Sequence, residues 1–61
     1  MARRVPAKSA AERAAIKTAR EHLRIANRNL TDGKFRAAEL RATEAIIAMR
    51  EALRCAGERG E

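Results

Sequence analysis

A single stretch, Thr31-Asp32-Gly33-Lys34, is the one internal place where this 61-residue chain has the residues to turn. Ser9 to Leu30 and Phe35 to Ala56 contain neither proline nor glycine, and the alanines and arginines that dominate them are among the best helix formers. Ser9-Ala10-Ala11-Glu12 has the form of a capping box: the serine oxygen accepts from the Glu12 amide and the glutamate reaches back to the Ser9 amide. Gly33 suits the left-handed position that ends a helix, because it lacks the Cβ that makes this conformation costly. The chain is therefore expected to form two helices, about 9–31 and 35–56, with Gly57 and Gly60 ending the second. Each would be roughly 33 Å long. Matched lengths and a four-residue turn fold the second back on the first, an all-α, antiparallel αα-hairpin. Met1 to Lys8, with Pro6, reads as a flexible basic arm, 9–57 as the hairpin and 58–61 as a disordered tail.

Composition excludes much else. Phe35 is the sole aromatic and Cys55 the sole cysteine, and 15 of the 28 hydrophobic residues are alanine. A β-sandwich or barrel would need β-branched and aromatic residues and many turns, and a disulfide scaffold would need a second cysteine. No run of bulky apolar residues reads as a membrane span or secretory signal. Glu12 and the cap at Ser9 argue against a mitochondrial-type leader. Cys55 reads as a reduced thiol in a cytoplasmic protein.

The apolar spacing supports the hairpin. Ile16, Ala19, Leu23, Ala26 and Leu30 recur at alternating steps of three and four. Phe35, Ala38, Ala42, Ala45, Met49, Ala52 and Ala56 do the same, widened by Ile46 and Leu53. These are expected to be the facing seams, close-packed because so many members are alanine. Leu40 and Ile47, seven apart, and Ile25 lie off these seams. Chains of this size usually need a metal, disulfides or a partner subunit. Ile25, Leu40 and Ile47 are accordingly expected to form a second buried face, in a homodimer packed as a four-helix bundle or against another protein.

The net charge of +6 belongs entirely to one half. Residues 1–30 hold eight bases against two acids, whereas residues 31–61 hold six of each. Such asymmetry points to an acidic partner. Arg13, Lys17, Arg20, Arg24 and Arg28 advance by steps of four, three, four and four, which aligns them in one cationic ridge roughly 22 Å long on the first helix. Like charges at i,i+4 destabilise a helix by roughly 0.2–0.5 kcal/mol per pair, and only Glu21 relieves them here. In the second helix Arg36/Glu39, Arg41/Glu44 and Glu51/Arg54 are opposite-sign pairs at i,i+3. A row of guanidinium groups suits phosphates or clustered carboxylates. Arg3, Arg4 and Lys8 would extend it as a mobile arm. With no aromatics for stacking bases, recognition of nucleic acid would rest on backbone or duplex shape.

No catalytic constellation is visible, so an enzyme is not expected and no cofactor is implied. His22 and Cys55 are too few and too distant in sequence for a metal site within one chain; His22 reads as a boundary residue of the first seam. A membrane-surface role fits poorly, since the apolar face is largely alanine.

From His22 to Arg50 the chain resembles one unit of the tetratricopeptide repeat. Ile25-Ala26 stands at the Leu-Gly step of that pattern, Gly33-Lys34-Phe35 at its turn, and Ala38 and Ala45 at its spaced small residues. It departs where His22, Asn29 and Ala42 replace large aromatics and Arg50 replaces a proline. In size and layout the chain is also similar to the Rop family of plasmid copy-number regulators. That resemblance implies a hairpin that dimerises into a four-helix bundle and binds paired RNA stem-loops through its first helices. The expectation is a small regulatory protein that binds a polyanion, most naturally structured or duplex nucleic acid. The alternatives are a protein-binding adaptor or inhibitor of the phage or plasmid type, and a small structural component of a larger assembly.

Overall fold

The computed structural model describes residues 8–58. Two helices account for almost all of them: α1 (Ala10–Thr31) and α2 (Phe35–Glu58), packed along their lengths as a hairpin. The expected arm falls largely outside the described residues, Arg3 and Arg4 included; Lys8 lies within them and is exposed. Of the expected tail only Glu58 is described, as the last residue of α2. Gly57 lies inside α2 instead of ending it. Its φ is not positive, so the backbone passes through it as helix.

Both ends of α1 are built as the local chemistry dictates. Ser9 is extended (φ −67°, ψ 163°) and its Oγ accepts from the Glu12 amide at 3.0 Å, while its carbonyl accepts from the Arg13 amide. At the other end Gly33 takes φ +75°. Its amide donates to the Leu30 carbonyl at 3.1 Å and the Lys34 amide to the Asn29 carbonyl at 2.8 Å. That pair of bonds is a Schellman motif, and it satisfies carbonyls that the helix end would otherwise leave bare. Ala38 then donates to the Lys34 carbonyl, so α2 begins at once.

The seam differs from the expected one by the same step in both helices. On α1 the buried residues are Glu12, Ala15, Ala19 and Ala26, with His22 and Asn29 half-buried. These six follow steps of three and four. On α2 the matching row buries Ala38, Ala45, Ala48 and Cys55, with Ala52 half-buried and Arg41 exposed at its edge; Ala45 is 0 % exposed. The expected rows share Ala19, Ala26, Ala38, Ala45 and Ala52 with the observed ones. Of their other members, Ile16, Ala42 and Ala56 are half-buried, whereas Leu23, Leu30, Phe35 and Met49 are exposed, with Leu23 at 44 % and Phe35 at 67 %. Ile46 and Leu53, expected to widen the seam, are exposed as well. Each helix is thus turned about half a residue step from the expectation.

The cause is the size of the side chains. Helices joined by a short turn approach most closely when the facing row is small, and close approach lets both backbones share dispersion contacts along their length. Bulky residues flank such a seam. Among the described residues no large side chain is fully buried, and every buried hydrophobic residue is alanine or Cys55.

Candidate functional site

All five members of the ridge are exposed on α1. With the seam running through Glu12, Ala15, Ala19, His22 and Ala26, they occupy the opposite side of the helix, directed away from α2. The five are not electrically equivalent. Arg28 lies 3.8 Å from the Asp32 carboxylate, at the helix end where a cation is also favoured by the dipole. Arg13 donates to the Lys8 carbonyl at 2.6 Å, which ties the residue before the cap to the start of the ridge. Among the described residues Arg13, Lys17, Arg20 and Arg24 form no ion pair with an acid. A shallow open groove runs beside them, lined by Lys8, Arg13, Ile16, Lys17, Arg20, Glu21 and Arg24.

On α2 the bases are differently placed. Arg36 pairs with Glu39 at 3.3 Å, and Arg54 grips Glu51 through two nitrogens, Nε at 3.2 Å and Nη2. The Arg54 hydrogen bond holds the Glu51 carboxyl below its ordinary range, against an opposing effect of desolvation. Arg41 does not take the Glu44 partner that its spacing offers. It donates across the hairpin to Nδ1 of His22, at 3.2 Å. His22 therefore stands on the seam as a polar acceptor, a role that its sequence neighbourhood did not reveal, since the partner is 19 residues away. Cys55 is buried as a free thiol, its Sγ 4.0 Å from Glu51 Oε2. No group of three or more His, Cys, Asp or Glu that could hold a metal occurs among the described residues, and no helix there is long and apolar enough to cross a membrane.

The residues expected at a second face differ in burial. Ile25 is half-buried beside the α1 seam, while Leu40 and Ile47 are exposed on α2. Ile47 borders a shallow groove with Thr18, His22, Glu44, Ala48 and Glu51, so that side of the hairpin mixes apolar and acidic groups.

No protein-family model, curated protein or solved structure matches this chain. The likenesses to a tetratricopeptide unit and to the Rop family thus rest on the residues quoted above and on the hairpin layout alone.

Proposed function

We propose that this is a small non-enzymatic protein that binds a polyanion, structured or duplex nucleic acid, through the ridge of Arg13, Lys17, Arg20, Arg24 and Arg28. The observation that carries this reading is the contrast between the helices. The bases of α2 at positions 36 and 54 pair with acids, whereas four consecutive ridge cations of α1 face solvent without an acidic partner among the described residues. Repulsion along one face, at a cost of roughly 0.2–0.5 kcal/mol per i,i+4 pair, has no structural return in the hairpin and is relieved by bound phosphates. Arginine grips these with two parallel bonds. Arg3, Arg4 and Lys8 would add to the same field.

The test is a gel shift with a structured RNA and a duplex DNA at two salt concentrations. Five phosphate contacts give a log–log salt slope of about −4.5 on duplex DNA. Reversing Arg20, Arg24 and Arg28 to glutamate should abolish the shift while leaving the helical circular dichroism intact; unchanged binding refutes the ridge. Docking on another protein is the second reading, favoured by exposed Leu40 and Ile47. It would show as a pulled-down partner lost on making those two residues polar.

A further inference from the structure

We propose that a second copy of this chain packs on the face that carries Leu23, Leu30, Phe35, Ile46, Met49 and Leu53. This is independent of the ridge, which points elsewhere. In an antiparallel hairpin, equivalent positions of the two helices fall on the same side of the plane containing both axes. Leu23 and Leu30 each follow a seam position of α1 by one residue. Met49 stands in the same relation to Ala48, and Phe35 lies two heptads before it. Ile46 and Leu53 occupy the next row outward on that side of α2. All six are exposed, Leu53 at 72 %. The half-step rotation that buries the alanine seam in both helices has turned these six onto one side, opposite Leu40 and Ile47.

The occupant follows from area. At roughly 150–250 Å² for a large side chain, the six leave on the order of 600 Å² of apolar surface bare. This matches the largest patch on an ordinary monomer, about 300–600 Å², on a chain of only 61 residues. With its rim it approaches the roughly 800 Å² that each partner contributes to a stable complex. The hairpin itself buries alanine, one cysteine and no large side chain completely, so a second layer of helices is what its bulky residues lack. A copy related by a two-fold axis along the helices sets α1 against the partner subunit's α2. Both ridges stay outside.

Light scattering of the purified full chain at micromolar concentration should give twice the 6.7 kDa of one chain. The double variant Leu23→Asp/Leu53→Asp should halve that mass, and Leu40→Asp/Ile47→Asp should leave it unchanged. A readout that needs no disruptive change uses Met49→Cys in a Cys55→Ser background. A short bis-maleimide should join two chains there and not in the Ile47→Cys counterpart. A folded monomer overturns the proposal. So does a mass lowered only by the Leu40/Ile47 variant, or cross-linking only through the Ile47→Cys variant.

Discussion

The guanidinium of Arg41 donates to Nδ1 of His22 at 3.2 Å, joining α2 to α1 across 19 residues of chain. An arginine side chain has donors only, so Nδ1 is the acceptor of this bond. The bond also marks the register: counting outward by steps of three and four sets Ala19 level with Ala45 and Ala26 level with Ala38. Because the bond is exposed, its worth is modest. Substituting each residue singly and together by alanine should give a coupling of about 0.5–1 kcal/mol in urea denaturation. Additive losses would show that the bond does not link the helices in solution.

Ala45 is where the hairpin has least room. Ala45→Leu should cost on the order of 1–3 kcal/mol, because it forces the two backbones apart. The same change at Ala42, half-buried on the flank, should cost clearly less. Thermal denaturation of the two variants decides; equal losses would contradict a seam through position 45.

The turn depends on one backbone conformation. Gly33 has φ +75° and nothing within 4 Å of where a Cβ would sit. Gly33→Ala should therefore lose about 1 kcal/mol from conformation alone, with no steric part. Gly33→Asn should lose less, since asparagine tolerates the left-handed region. Urea midpoints of the three proteins provide the measurement.

The ridge sets stability against binding. Arg24→Glu replaces two like-charge i,i+4 neighbours by two opposite ones, and should raise stability by about 0.5 kcal/mol at low salt. Its nucleic-acid affinity should fall in the same preparation. A variant that loses stability and keeps affinity would remove the reason for reading the ridge as a binding surface.

Glu51 supplies a pH dependence of known sign. Arg54 lowers its folded-state pKa, so the contribution of this pair is present above the unfolded carboxyl range and is lost as pH falls through the lowered folded value. Glu51→Gln should lower the neutral plateau slightly and leave stability at pH below the folded value unchanged, so that a small part of the acid limb disappears. An acid limb identical to that of the parent protein would show that the pair contributes nothing in solution.

Much of this molecule is decided locally. The Ser9 cap, the Gly33 turn and two unbroken helical stretches specify a hairpin through bonds made within a few residues, and the ridge follows from spacing on one helix. The seam was not legible in that way, because two rows with the same three-four rhythm run through each helix and share Ala19, Ala26, Ala38, Ala45 and Ala52. Hydrophobicity favours the row with Leu23, Leu30 and Met49; close approach of two backbones favours the row with Ala15, Ala48 and Cys55. Only packing one helix against the other settles that choice, since the gain from close contact exists in neither helix alone. The same packing pairs Arg41 with distant His22 in place of nearby Glu44, and turns Leu23, Leu30, Met49 and Leu53 to one open side.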